Sequence, residues 1–593
     1  LKAPHHHFFQ QSLQFLYFAS MTLAKKWIDV PPPQEKAVED LAASIRSSST
    51  VARLLLQRGI DSFEKAKSFF NPGTEGLHPP LLMKNMDKAV EKVLETMKSG
   101  GLIRFYGDYD VDGTTSASMM YWHFRYHLNY DTVDYYTPDR YKEGYGVSEL
   151  GVQHALESGV ELLITLDCGI KDKTALTLAA LKGLPVIVCD HHRPGSTLPP
   201  SLAILNPKQS DCAYPYKELS GCGVGLKLLM AINDALGLGD KGLNDAFQFA
   251  AVSTCCDIVE MKGENRCITA LGLRELNTNP LPGFKIMKER SAKEKNFKVE
   301  DVVFILGPRI NAAGRISHAH GAIELLTAQT DDPRLETWWQ AIQEHNAARR
   351  LLDQQITREA LEELDHPAQR SKKSTVVFRS TWHKGVVGIV ASRLVERYYR
   401  PTVVLTESQG LLTGSARTSG NFDVYEALLA CSNLLTKFGG HTHAAGLSLL
   451  PDHLPAFEAE FERVVEERIQ PIDQSPGIGI DAPLPPELIT RRLFQVLERM
   501  EPCGPSNLSP VFRTGRVRAL PESIRILKDE HLKFVLADPD AEGQPLSAIG
   551  FGMAALAPLV EAGNWFEMAF TLSENTWNGV SSLQLMIKDI QAR

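Results

Sequence analysis

Short apolar runs that each end in acidic or histidine residues constrain this chain most tightly. Residues 102–106 run into Gly107-Asp-Tyr-Asp-Val-Asp-Gly113, residues 162–166 into Asp167, and residues 185–189 into Asp190, His191 and His192. Stretches with helical patterning separate them. Short apolar runs alternating with helices read as strands of a parallel sheet, whose ligands bind beyond the carboxyl ends of the strands. The carboxylates and imidazoles therefore converge on one edge. So many acids in one place repel each other unless cations bind, and mixed oxygen and imidazole donors suit a divalent ion such as manganese.

At 593 residues the chain is too long for a single core. Strands at 102–106, 132–137, 162–167, 185–189 and 202–206 alternate with helices at 114–127, 150–157 and 174–181, the pattern of a doubly wound α/β domain. We divide the chain into a lead-in at 21–98 that packs on the core, a catalytic domain at 99–330 with a helical part at 218–330, and a connecting region at 331–370. A second α/β domain follows at 371–466, and residues 471–593 complete the chain. Between Pro333 and Asp365 a polar-rich stretch without glycine or proline reads as one helix of about 30 residues, spanning roughly 45 Å. In the second α/β domain, strands are expected at 375–378 and 402–405 and helices at 386–398 and 424–437. After Pro471, prolines and short alternating strands (511–512, 515–520, 532–536, 546–551, 565–572 and 582–587) fit a small β-barrel of the oligonucleotide-binding type.

Composition sets the compartment and limits the partners. Hydrophobic content of 43% and charged content of 23% are ordinary for a globular chain. No apolar stretch is long enough to span a bilayer, which excludes a membrane protein of helical type. The nine cysteines show no zinc-finger spacing and read as reduced thiols of a cytoplasmic protein. A net charge of -8 weighs against a nucleic-acid partner, although metal would neutralise several of the acids. Residues 1–20, with His5 to His7 and an apolar run, read as an upstream or added extension, and Met21 reads as a natural beginning.

Asp108, Asp110 and Asp112 alternate along a glycine-flanked turn. Taken alone they read as helix-capping residues, a role that Thr114 and Thr115 also suit. Their recurrence with Asp167 and the Asp190-His191-His192 triplet at matching strand ends favours a metal centre. These motifs resemble those of the DHH phosphoesterase superfamily. The likeness extends through Gly221-Cys-Gly-Val-Gly-Leu-Lys, Cys255-Cys-Asp257, Gly307-Pro-Arg-Ile-Asn-Ala-Ala-Gly-Arg315, Phe438-Gly-Gly-His-Thr-His-Ala-Ala-Gly446 and Glu501-Pro-Cys-Gly-Pro-Ser-Asn. It covers residues 21–593, as in the superfamily's single-strand-specific 5′ exonucleases.

The resemblance implies two Mn2+ (or Mg2+) ions. Asp112, Asp167, His191 and Asp257 would hold one, and Asp110 and Asp167 with Asp108 the other, so that Asp167 bridges. Asp110, Asp112, Asp167 and His192 would then form the catalytic set. His192 would contact the scissile phosphate or protonate the leaving oxygen; the plainer reading is a histidine that only orients its neighbours. Tyr106 stands where some members carry a histidine, which makes the second site oxygen-rich and dependent on added metal. Arg309, Asn311 and Arg315, read as flanking or lying in a small-residue loop, would bind phosphate. Ser415 and Arg417 would take the terminal 5′ phosphate across a cleft from His441, with Gly440 allowing close approach; His383 and His443 are weaker candidates. Phe512, Arg513, Arg516, Arg518 and Lys533 would stack bases and track the backbone, although barrel aromatics are more often core. The implied function is 5′-to-3′ hydrolysis of single-stranded DNA in repair and recombination, with a RecQ-type helicase and single-strand-binding protein as partners; a monomer is the default oligomeric state. A phosphodiesterase of cyclic dinucleotides, short oligonucleotides or phosphoadenosine phosphate is the alternative; it would need no barrel.

Overall fold

The computed structural model describes residues 25–593 apart from 292–295, 317, 318, 471, 472, 474, 562, 578 and 593. The extension at 1–20 lies outside them. The chain divides into two compact units, residues 62–348 with 499–509, and residues up to 61 with 349–498 and 510–593.

The first unit is built on a five-stranded parallel sheet in the order Val133–Tyr136, Ile103–Gly107, Leu162–Leu166, Val186–Cys189, Ala203–Leu205. The three middle strands are buried along their whole length, as a sheet covered on both faces requires. Alternate side chains enter opposite cores. Phe105, Ile164, Leu166 and Ile187 pack with the helices Met86–Ser99, Val111–Tyr126, Gly221–Ala235 and Leu243–Cys256. Tyr106, Leu163, Val186 and Val188 pack with Glu149–Glu157 and Lys173–Leu181. Strand order reverses between Ile103–Gly107 and Leu162–Leu166, which is the switch point where doubly wound sheets bind ligands.

Two local features depart from the pattern. The helix expected at 114–127 starts at Val111, because Asp110 is the N-cap and accepts a hydrogen bond from Gly113 N at 3.2 Å. The small-residue segment expected as a loop is instead the helix Gly307–Ile316, entered from a π-helical stretch Val302–Leu306. Gly307 N still donates to Val302 O there, and Pro308 follows where the ladder changes pitch, so its missing N–H breaks nothing.

The second unit carries a five-stranded sheet in the order Lys437–His441, Ala444–Leu449, Leu411–Arg417, Thr402–Ser408, Thr375–Phe378, with helices that include Val387–Tyr398 and Leu454–Arg468. The helix expected at 424–437 ends at Ala430, and Lys437–His441 becomes an edge strand paired to Ala444–Leu449. The barrel sheet has seven strands and is dominated by the hairpin Phe566–Trp577 and Val580–Ala592. The expected strand at 515–520 contributes only single bridges, Val517 to Phe566 and Ala519 to Leu536. The lead-in is divided rather than packed on the core as one piece: Lys26–Asp29 pairs in parallel with Gly477–Ile480 in this unit, whereas residues from 62 onward belong to the first. The helix Leu335–Leu364 has the expected 30 residues. Among the described residues no helix is long and apolar enough to cross a membrane.

Candidate metal centre

Sheet register assembles the acids. Gly107 pairs with Leu166, Leu166 with Cys189 and Cys189 with Leu205, so these strands end level with one another. The next residue on each is Asp108, Asp167, Asp190 and Asn206. Neighbouring strands lie about 4.8 Å apart, so the four side chains start as an evenly spaced row. Glycines close the turn onto this row. A Cβ at Gly113 would come 2.3 Å from Asp108 N, and one at Gly221 would come 2.6 Å from Asp167 Cβ. Asp167 itself adopts φ 61°, a left-handed conformation that aspartate accepts more readily than most residues.

Each ligand candidate has a distinct anchor. Asp112 accepts from Gly221 N at 2.6 Å, Cys222 N at 2.7 Å and Ser253 Oγ at 2.7 Å, which fixes it between the start of Gly221–Ala235 and the last turn of Leu243–Cys256. His191 Nε2 lies 3.3 Å from Asp167 Oδ1, 3.4 Å from Asp257 Oδ2 and 3.9 Å from Asp112 Oδ2. Asp257 caps the C-terminus of Leu243–Cys256. His192 Nδ1 lies 2.8 Å from Asp190 Oδ1, its backbone N donates to the same oxygen, and Asn206 Nδ2 donates to its carbonyl. His192 Nε2 faces the Tyr145 hydroxyl at 3.1 Å.

The electrostatics match a cation site. Burial pushes the carboxyls of Asp108, Asp110, Asp167 and Asp257 up, and neighbouring acids push them further. Burial lowers His191 to about 4, so its imidazole is neutral, the form that binds metal. Burial alone would raise Asp190, but the hydrogen bonds and charge of His192 hold it at about 2. Burial likewise disfavours protonated His192, yet Asp190 and the nearby charges of Asp112 and Asp110 raise it above the ordinary value.

The donor set fits two divalent ions. Both carboxyl oxygens of Asp108, Asp167 Oδ1, both ring nitrogens of His191 and Asp257 Oδ2 are buried without a hydrogen-bond partner. Such groups are expensive unless something coordinates them. Ligand atoms of Asp112, His191 and Asp257 lie within 4.8 Å of one another, as do those of Asp108, Asp110 and Asp167, and those of Asp167, His191 and His192. From the sequence, Tyr145 and Asn206 have no role, and Asp190 counts only as a member of the strand-end triplet, without its part in holding His192. Asp190 and Asn206 carried a usable signal, a polar residue directly after a buried strand, whereas Tyr145 lies in an irregular loop and carried none.

Family models match three parts of the chain: the DHH family N-terminal domain at 102–251, the DHHA1 domain at 372–467 and the RecJ OB domain at 480–589. The single-stranded-DNA-specific exonuclease RecJ of Bacillus subtilis is 34% identical over 96% of this chain and 71% of its own length. The Escherichia coli protein of the same name is 31% identical over 91% of this chain and 95% of its own length. The chain belongs to the RecJ family. A crystal structure of Thermus thermophilus RecJ with Mn2+ superposes with a TM-score of 0.80 at 28% identity, covering 96% of this chain and 80% of that one. A further RecJ structure bound to manganese is 33% identical, with a TM-score of 0.56, and covers 65% of this chain and 96% of that one.

The RecJ-type substrate candidates sit as follows. Arg309 and Arg315 lie on a helix, where six residues amount to 600° of rotation, so they occupy different faces; Asn311 and Arg315, four apart, share one. Arg309 donates to Gln343 Oε1 at 2.8 Å and to Ile305 O at 2.6 Å. Gly314 lets this helix reach the acidic turn, since a Cβ there would come 2.5 Å from Tyr109 O. Arg417 donates to Ser415 Oγ at 2.6 Å, and Gly388 at the start of Val387–Tyr398 lies against both, with a Cβ there 3.1 Å from Arg417 Nη2. His441 does not face them across a cleft. Both His441 and Arg417 pair with Ala444, so they lie in one sheet with a single strand between them. Gly440, at φ 152°, leaves room for Ala444 O. His383 Nδ1 accepts from Gly385 N at 3.2 Å, inside the turn that precedes Val387–Tyr398, and does not cap that helix, whose N-cap is Val386. In the RecJ OB domain Phe512 is fully buried against Phe570 and is core, not a stacking platform. Among the described residues the exposed aromatics of this domain include Phe551 and Trp565, the latter with Arg518 over its ring at 4.5 Å.

Proposed function

We propose that this protein is a single-strand-specific DNA exonuclease that degrades from the 5′ end and releases nucleoside 5′-monophosphates. The row of strand-end acids with His191 and His192, in a chain that also carries a RecJ-type OB domain, supports this reading best. Asp112, Asp167, His191 and Asp257 would hold one Mn2+ or Mg2+ ion, and Asp108, Asp110 and Asp167 the other. Bound there, such ions supply Lewis acidity toward water and the scissile phosphodiester.

The protein's own groups do the rest. Asp112, locked by three donors, sets the position of its neighbours. Asp190 holds His192 by Nδ1 and raises its proton affinity, leaving Nε2 to donate a proton to the departing oxygen. Ser415 and Arg417, with Gly440 and His441, take the terminal 5′ phosphate; planar guanidinium suits that bidentate contact. Arg309, Asn311 and Arg315 take phosphates near the cut. Phe551 and Trp565 stack bases, which needs no sequence reading. The enzyme acts as a monomer in cytoplasmic DNA repair and recombination, on strands supplied by a RecQ-type helicase and single-strand-binding protein.

The test follows mononucleotide release from internally labelled single-stranded DNA with Mn2+, using free and blocked 5′ ends and Asp167→Ala in parallel. Release that needs an open 5′ end and vanishes in the variant is the expected result. Loss of long-strand cleavage with retained hydrolysis of cyclic or very short substrates would overturn it.

A further inference from the structure

The loop between Leu243–Cys256 and Gly263–Thr278 carries Asp257 at its first position and holds an awkward backbone. Ile258, β-branched and 79% exposed, adopts φ 59°. A β-branched residue in the left-handed region is a strained outlier that persists only where surrounding contacts over-determine it. Part of the restraint is local, since Tyr216 Oη and Asn265 Nδ2 both donate to Glu260 O, at 3.3 Å and 3.0 Å. Further restraint comes from residues 499–509, almost 240 positions later in the chain but in the same compact unit.

This segment lies on the loop as a strap. Met261 N donates to Pro505 O at 2.7 Å, and Ser506 Oγ donates to Glu260 Oε1 at 3.1 Å. The Met261 side chain is buried under Gly504, where an added Cβ would come 3.1 Å from Met261 Cβ. Gly504 and Asn507 exchange backbone hydrogen bonds, and Asn507 Nδ2 donates to Pro502 O at 3.0 Å, so the strap is a closed turn.

Arg266 pegs the strap down. Only 4% exposed, it sits on the helix that begins directly after the loop. Its Nη1 donates to Met500 O at 2.9 Å and Pro502 O at 2.7 Å, and its Nη2 to Glu501 O at 2.9 Å. Nε and Nη2 also reach Phe69 O, at 3.2 Å and 3.1 Å, and the guanidinium lies 3.9 Å from the Phe69 ring centre. A planar fork with this many donors fixes direction as well as distance, which lysine cannot reproduce.

We infer that Arg266, through the 499–509 strap, is a positioning residue for Asp257, and that the strap sets the affinity of the metal site. The inference rests on the reading of Asp257 as a ligand. Mn2+ binding to the full-length protein, followed by the free-ion EPR signal, tests it in the wild type, Arg266→Lys and Gly504→Ala. Val93→Ala, a buried change in the helix Met86–Ser99, serves as a control for general destabilisation. Removing outer support of a metal site typically weakens binding about 10- to 100-fold. The strap variants, folded by circular dichroism, are expected to bind Mn2+ about tenfold more weakly and to need correspondingly more Mn2+ for half-maximal activity. Their KM for DNA at saturating Mn2+ stays unchanged, and Val93→Ala keeps wild-type affinity. Gly504→Ala removes no hydrogen-bonding side chain, so it remains informative even where Arg266→Lys does not fold. Wild-type affinity in folded strap variants, or equal weakening in Val93→Ala, overturns the positioning role. A wild type that binds no Mn2+ overturns the reading of Asp257 itself, an outcome distinct from the other two.

Discussion

Asp167→Asn in metal-free protein measures what the buried acids cost. Asp167, Asp108 and Asp110 bring carboxylate oxygens within 4.8 Å of one another. Two unit charges at that distance repel by about 3.5 kcal/mol at an effective dielectric of 20. Protonation already relieves part of this, because burial and mutual repulsion raise all three carboxyls. We take about 2 kcal/mol as recoverable at neutral pH. Asparagine keeps the size of aspartate and tolerates the φ of 61°, so the backbone term is unchanged. In a unit of this size the metal-free variant should therefore melt about 3 °C above the wild type. Manganese reverses the order. At 100 times its Kd one ion adds about 2.7 kcal/mol to the wild type, whereas the variant has lost a carboxylate common to both candidate sites and gains far less. The pH dependence has a definite sign. A carboxyl raised on folding binds more protons folded than unfolded, so metal-free stability falls as pH rises from the ordinary carboxylate range through the raised values. Asp167→Asn removes one such group, and its advantage should widen as pH rises above the ordinary carboxylate range. Thermal melts with and without chelator across that rise decide the matter. A metal-free variant less stable than the wild type, or one with an undiminished Mn2+ increment, refutes the electrostatic argument.

Asp190→Asn removes the partner that orients His192; kcat should fall about 100-fold with little change in the KM for DNA, measured by steady-state nucleotide release. His123 is buried, lies 2.9 Å from Asn233 Oδ1, and is lowered by burial from 6.5 to about 4. Its stabilisation is complete above about pH 6.5 and is lost as pH falls toward 4, amounting to about 3 kcal/mol; urea unfolding of His123→Gln should show a flatter acid limb. Phe551→Ala and Trp565→Ala should each weaken binding of single-stranded DNA by about 1–3 kcal/mol in fluorescence anisotropy. Phe512→Ala should instead lower stability by about 3–5 kcal/mol, as truncation of a core aromatic does.

The parallel sheet was legible because burial on both faces leaves nothing but apolar residues along a strand, and chain reversal then brings the polar residues to its end. That logic places Asp108, Asp167 and His191 within one layer from the sequence alone. It failed where one local pattern supports two structures. Gly307-Pro308 with nearby alanines and glycines has the texture of a loop, yet a helix forms because the small residues allow it to pack against the acidic turn at Tyr109. Residues 431–437 extend a helical pattern, but strand pairing across Ala444–Leu449 outweighs local propensity. Phe512 has the composition of a stacking residue and the burial of a core residue, and only tertiary packing distinguishes the two. The strap at 499–509 had no local signal of its role, since its partner Arg266 is more than 230 residues away.

Asp167 combines three costs in one residue: a left-handed backbone, a buried carboxylate among other acids, and an oxygen without a hydrogen-bond partner. Strain of that backbone kind costs on the order of 1–3 kcal/mol, and a buried unpaired polar atom costs a similar amount. Among the described residues neither cost is recovered, because the two imidazoles beside Asp167 Oδ1 are those of His191 and His192, one neutral and the other committed to Asp190. Any substitution chosen for stability alone would remove the acid. Its placement is therefore intelligible only if a cation offsets the charge and coordinates the free oxygen, in which case metal binding contributes to folding of the site as well as to its chemistry. The same reasoning explains why glycines at 107, 113 and 221 crowd this point. They let two helix starts close on the acids, so that the cost falls in one rigid turn rather than being spread through a mobile loop.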